Sequence, residues 1–105
     1  MVTFTLLLSM GIELKEYLSE AGYSPFQKWF DGLNTEAAAK VTVALTRLSL
    51  GNFSFGPGYR IYFGRQGETI VILLHGGSKK GQSKDIQKAK NMWSDFKQRS
   101  RRGEM

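Results

Sequence analysis

An α+β fold is predicted, a helical hairpin and a C-terminal helix packed on a twisted antiparallel β-sheet in one small domain, and three observations predict it. The apolar period changes along the chain from that of a strand to that of two helices, then to two strands, and finally to a helix. A helical stripe or an alternating strand cannot bury its apolar face alone, so these layers must cover one another. At 105 residues the chain has interior enough for one core and not for two.

Each element has its own signal. Ile12 to Leu18 alternates apolar Ile12 and Leu14 with polar Glu13 and Lys15 and runs out towards Gly22, as a strand entering a turn does. Ser24-Pro25-Phe26-Gln27 then offers a hydroxyl at the N-cap, proline at the first helical position, and a glutamine whose side chain can return to the cap amide. Phe26, Trp29, Phe30 and Leu33 follow at helical spacing. A second helix is expected from Asn34 or Thr35, with Ala37, Val41, Ala44, Leu45 and Leu48 on one face and Gly51-Asn52 ending it.

Gly56-Pro57-Gly58 is a turn signal, and from Tyr59 the period becomes two. Tyr59, Ile61 and Phe63 share one face of that strand, Arg60 and Tyr62 the other. Gly64-Arg65-Gln66-Gly67 reads as a tight turn into Thr69–Leu74, which is almost continuously apolar, as in a strand buried on both faces. Gly76-Gly77 closes it, and Ser78–Ser83 is a polar loop. A last helix from Ser83 or Lys84 sets Ile86, Ala89, Trp93 and Phe96 on one face and basic residues on the opposite one.

Composition removes several chemistries. No cysteine is present, which excludes disulfides, thiolate zinc sites and a cysteine nucleophile, and suits a reducing cytoplasm. With a single histidine, His75, and no cluster of Asp and Glu at a hard cation's spacing, neither a metal nor a cofactor is expected. Val2 to Met10 is apolar but lacks a basic leader and is too short to cross a bilayer, so no membrane association is expected. It reads as a strand, or as an N-terminal extension upstream of a start at Met10.

Residues 1–78 carry six basic and six acidic side chains, whereas residues 79–105 carry nine basic and three acidic ones. The whole excess of positive charge therefore lies in the C-terminal quarter, with a basic tail at 97–105, and should draw that end to polyanions.

The blocks Gly56-Pro57-Gly58-Tyr59-Arg60-Ile61-Tyr62-Phe63-Gly64, Ile70–Leu74, Gly76-Gly77, Lys79-Lys80, Gln82, Asp85-Ile86 and Ala89 resemble the C-terminal half of an addiction module killer protein, in the HigB-like branch of the RelE/ParE toxin superfamily. Ser24-Pro25-Phe26, Trp29-Phe30, Leu33 and the alanine-rich helix ending at Gly51-Asn52 resemble its N-terminal half in the same order, so the likeness covers residues 11–99. It implies a RelE/ParE-like domain and the toxin half of a type II toxin–antitoxin pair. Such a toxin is an endonuclease of messenger RNA, free or on the ribosome, and a small helix-turn-helix antitoxin neutralises it. One departure stands out. Between Gly51-Asn52 and the Gly-Pro-Gly turn the family has a loop and a strand with a Glu-x-Arg pattern, and here only Phe53-Ser54-Phe55 remains, a deficit of roughly 15 residues. Without that strand a sheet edge is left unpaired, unless Val2–Leu8 or another chain fills it.

RNA supplies its own nucleophile, the 2′-OH, so neither metal nor cysteine is needed if a base takes the proton and cations stabilise the charge on phosphorus. Arg60, which matches the family's motif arginine, is the first candidate for bidentate contact with the scissile phosphate; otherwise it is an exposed sheet arginine paired to a carboxylate. Tyr62 could stack on a base or assist proton transfer, or simply cover the sheet. His75 is a candidate general base or acid, or a structural histidine. Lys79 and Lys80 stand before a helix N-terminus, where phosphate binds, and one of them matches the family's loop lysine. Arg65, Lys84 and Lys88 are further RNA-binding candidates, and Lys97, Arg99, Arg101 and Arg102 extend the positive track. The competing expectations are a ParE-like inhibitor of DNA gyrase that acts by protein contact, and an inactive remnant lacking one strand.

Overall fold

The computed structural model describes residues 11–53 and 58–103. The expectations for Val2–Met10, for the Gly56-Pro57 turn and for the junction at Ser54 and Phe55 lie outside the described residues. The elements run β1 (Glu13–Glu16), α1 (Pro25–Asp31), α2 (Thr35–Ser49), β2 (Tyr59–Gln66), β3 (Ile70–Ser78), a single 3-10 turn (Lys79–Gly81) and α3 (Gln82–Arg101).

Local chemistry sets the helix starts. Ser24 Oγ accepts from the Gln27 amide, with Pro25 next in the first turn, and Asn34 Oδ1 accepts from the Ala37 amide 2.8 Å away. The Gln27 side chain does not return to the cap; it donates to Asp31 at 2.7 Å, so only half of the expected capping box forms.

The described sheet has the order β1-β3-β2 and is mixed, which corrects the expected antiparallel sheet. β2 and β3 pair antiparallel, whereas β1 runs parallel to β3 from Glu13 opposite Ile70 to Glu16 opposite Leu73. The reason is connectivity. Two helices intervene between β1 and β2, so the chain enters β2 against the direction of β1; β3 reverses once more across a tight turn and lies between them, running with β1. β3 is buried along nearly its whole length and therefore takes the central place.

Helices cover both faces. On one side Phe26 of α1 and Val41, Leu45 and Leu48 of α2 pack on Leu14, Ile61, Val71 and Leu73. On the other, Ala89 and Phe96 of α3 pack on Tyr17, Ile72 and Leu74. Each fully buried Leu or Phe contributes about 2 kcal/mol to this arrangement.

Two features of the hairpin differ from the sequence expectation. Its turn lies at Gly67–Thr69, beyond Gln66, and Gly67 has φ +69°. Gly64 is thus a strand residue, and Gly76 and Gly77 lie inside β3 rather than closing it. A β-bulge also interrupts the register: Tyr62 is opposite His75 and Phe63 opposite Leu73, which leaves Leu74 as the extra residue. Strict alternation from Leu73 would aim His75 at α1; the bulge turns it to the α3 side beside Tyr62.

The glycines are sites of close approach. A Cβ on Gly76 would stand 2.3 Å from the Trp29 ring, and one on Gly64 2.4 Å from the Trp93 ring. Gly76→Ala is therefore expected to lower unfolding free energy by about 3 kcal/mol through overpacking, read from the denaturant midpoint. An unchanged midpoint would show that Trp29 can move aside.

Candidate functional site

The end of the hairpin nearest α3 gathers most of the expected residues. Arg60 is opposite Gly77, half-buried, and alternates with Ile61, which is in the core under α1 and α2; Arg60 therefore faces the α3 side. Tyr62, two residues on, stacks on His75 with ring centroids 4.8 Å apart and planes 16° from parallel. Its hydroxyl oxygen is buried and has no hydrogen-bond partner among the described residues. Burial, and then the negative charge of Asp85, push the Tyr62 hydroxyl above its ordinary pKa, while Arg60 pulls it down. Arg60, Asp85 and Tyr62 thus share one electrostatic neighbourhood.

Asp85 was not singled out as a site residue, although a signal existed. It stands in the first turn of α3 and lies against Gly77, whose absent Cβ would be 2.1 Å from Oδ2. A second glycine after Gly76 is what admits the carboxylate. Lys79 and Lys80 follow Ser78, the partner of Tyr59, and are exposed, and neither ammonium has an ion pair among the described residues.

His75 sits at the centre of this group, but its chemistry is committed. It is 6% exposed, with Nε2 2.8 Å from the Asp85 carbonyl and Nδ1 3.2 Å from the Gly76 carbonyl. Carbonyl oxygens only accept, so both ring nitrogens face acceptors and neither is presented to a substrate. The arrangement fits the structural alternative for His75, which ties the start of α3 to the bulge.

Arg65 lies apart from this group, whereas Lys84 precedes Asp85 in the first turn of α3 and Lys88 follows one turn later. Arg65 is at the far end of β2, its guanidinium 4.8 Å over the Phe53 ring and donating to the Glu68 carbonyl at 3.2 Å. Lys84 and Lys88 are exposed on α3 three and two helical turns before Asp95, and so on the flank that meets the end of β1.

Arg99 also departs from its expected place on the positive track. It is 8% exposed; it donates to Asp95 Oδ2 from Nη2 at 2.7 Å and from Nε at 3.0 Å, and from Nη2 to the Leu18 carbonyl. The Tyr17 hydroxyl donates to the same carboxylate at 2.7 Å. Nor do residues 97–101 form a loose tail, since α3 continues through them. Glu16, 2% exposed with Oε2 unpartnered among the described residues, is a second buried polar group, on the α1 side of β1. Glu16→Gln removes an unpaired buried charge and should raise stability by about 1 kcal/mol, seen as a higher melting temperature; a lower one would refute the account.

Among the described residues no group of three or more His, Asp or Glu is placed to hold a metal ion, and no helix is long and apolar enough to cross a membrane.

An uncharacterized protein of Haemophilus influenzae is 36% identical to this chain over 97 residues, a match that takes in 77% of this chain and 92% of the relative. The chain belongs to the same family. No family model matches the chain, and no solved structure matches it.

Proposed function

We propose that the protein is the toxin of a type II toxin–antitoxin pair, an endonuclease that cuts messenger RNA by attack of its own 2′-OH. The observation that carries the reading is the grouping of Arg60 and Asp85 with Tyr62, whose buried hydroxyl has no partner among the described residues, at the end of the β2–β3 hairpin from which Lys79 and Lys80 follow. The ordered sequence blocks from Ser24 to Ala89 support the same reading.

In this mechanism Arg60 grips two non-bridging oxygens of the scissile phosphate, and Lys80 holds its neighbour. The Asp85 carboxylate accepts the 2′-OH proton. Charge that builds on phosphorus is balanced by the Arg60 guanidinium, fixed in place before reaction. The exposed Lys79 ammonium donates to the departing 5′-oxygen, while Tyr62, its hydroxyl buried, backs Arg60 on the same face of β2. His75 acts through position, holding Asp85 and Tyr62 in register. Such a toxin works in the cytoplasm on translated messenger RNA, and a small helix-turn-helix antitoxin is its expected partner.

The test is purified protein with messenger RNA, alone and during translation. Cleavage that persists in EDTA and leaves 2′,3′-cyclic phosphate ends is the expected result. Inhibition of DNA supercoiling without RNA cleavage would replace this reading with that of a gyrase inhibitor. Normal growth of cells that express the chain without any antitoxin would mark an inactive remnant.

A further inference from the structure

A second concave surface lies on the same side of β2, away from Arg60. It is a cleft of about 430 Å³ between the end of β2 and α3, lined by Trp93 and Phe96 together with Arg65, Gln66, Lys97 and Arg101. That volume is within the range of small-ligand sites. Trp93 is held flat: one side of its ring rests where Gly64 has no Cβ, and Phe96 lies parallel to it, centroids 5.4 Å apart and planes 6° from parallel. Lys97 Nζ stands 5.7 Å from the centre of the Trp93 ring. Lys97 and Arg101 are exposed, one helical turn apart, and have no ion pair among the described residues. No acidic side chain lines the cleft.

A fixed aromatic plane beside two unpaired cations, with an amide at the rim, suits a ligand that is both planar and anionic. A carboxylate or a lone phosphate leaves the tryptophan unused, and a neutral aromatic leaves both charges unmet. We propose that this cleft binds a nucleotide unit: its base stacks on Trp93 in place of the Lys97 ammonium, which moves with Arg101 onto the phosphate. Arg60, Tyr62, Gly64 and Gln66 alternate onto one face of β2, so cleft and hairpin end lie along one line. Arg60 and the cleft are separated by about 17 Å of strand, a few nucleotides of single strand. The ligand is then the same RNA strand that Arg60 grips, which rests on the reading given under Proposed function; a free nucleotide has the same chemistry, and the test separates the two.

The probes are a 2′-O-methyl heptaribonucleotide, which lacks the nucleophile and stays intact, and adenosine monophosphate. Titration of the heptamer should quench tryptophan emission, the quench should vanish in Trp93→Phe, and the Lys97→Ala/Arg101→Ala double variant should bind about tenfold more weakly at low salt. Far weaker binding of adenosine monophosphate identifies the strand as the ligand; equal binding identifies the free nucleotide and overturns the continuous track. Absence of quenching, or unchanged affinity in the double variant, overturns the site. If wild-type protein quenches with the heptamer but cleaves no RNA, the endonuclease reading falls and the cleft stands. If cleavage and its KM are the same in the double variant, the cleft falls and the endonuclease stands.

Discussion

Arg60→Ala should slow RNA cleavage by about 10²–10³-fold at saturating RNA while the melting temperature stays within a degree or two of wild type. The rate falls because a guanidinium fixed at the phosphate is complementary to charge that develops only in the transition state, so its loss appears in kcat more than in KM. Stability is spared because the Arg60 side chain is half-buried and has no ion pair among the described residues. Arg60→Lys keeps the charge and loses the planar fork, and should recover roughly tenfold of the lost rate. Full activity in the alanine variant would remove Arg60 from the mechanism, and a collapsed fold would make it structural.

The largest effect on stability should come from Asp95. Asp95→Ala leaves Arg99 buried with only the Leu18 carbonyl, and strips the Tyr17 hydroxyl of its acceptor. Removing one partner of such a pair costs about 3 kcal/mol, or on the order of 10 °C in melting temperature for a domain of this size. Its pH signature has a definite sign. The hydrogen bond from Tyr17, and then that from Arg99, hold the Asp95 carboxyl below the ordinary carboxylate range. A depressed folded pKa gives stability that is present above the unfolded value of about 4 and lost as pH falls through the folded one. Tyr17 behaves oppositely. Burial first, then the Asp95 hydrogen bond, raise it to about 12, so its contribution is present below about pH 10 and lost as pH rises towards 12. Denaturation from pH 2 to 12 should show both losses in wild type; in Asp95→Ala the acid loss from this carboxyl disappears and the alkaline loss shrinks but persists, because burial still raises Tyr17; identical profiles would refute the triad's role.

Much of the fold was legible because its signals are local. Ser24-Pro25 and Asn34 cap helices through atoms within three residues, and Ala37, Val41, Leu45 and Leu48 are buried as their spacing requires. Strand direction was not legible, since periodicity is the same for parallel and antiparallel neighbours. Nor was the bulge. In the continuous apolar run before His75 nothing marks where alternation slips, and one extra residue decides which helix the imidazole meets. The site was legible where strand alternation sufficed, as for Arg60 and Tyr62. It was misread where charge was taken for exposure: Arg99 looks like a free surface cation in sequence and is buried.

The mixed sheet also imposes an order of assembly. β2 and β3 are joined by the short turn at Gly67 and can zip from it at small entropic cost, with α3 following directly on β3. Among the described residues β1 pairs only with β3, from Glu13 opposite Ile70, so more than half of the chain must be looped out before that ladder can form. During synthesis β1 leaves the ribosome first and finds its partner last. Until β3 emerges, Leu14 and the carboxylate of Glu16 wait in water beside a helical pair with no sheet to cover, and the nascent chain acquires its lasting core only when the hairpin arrives.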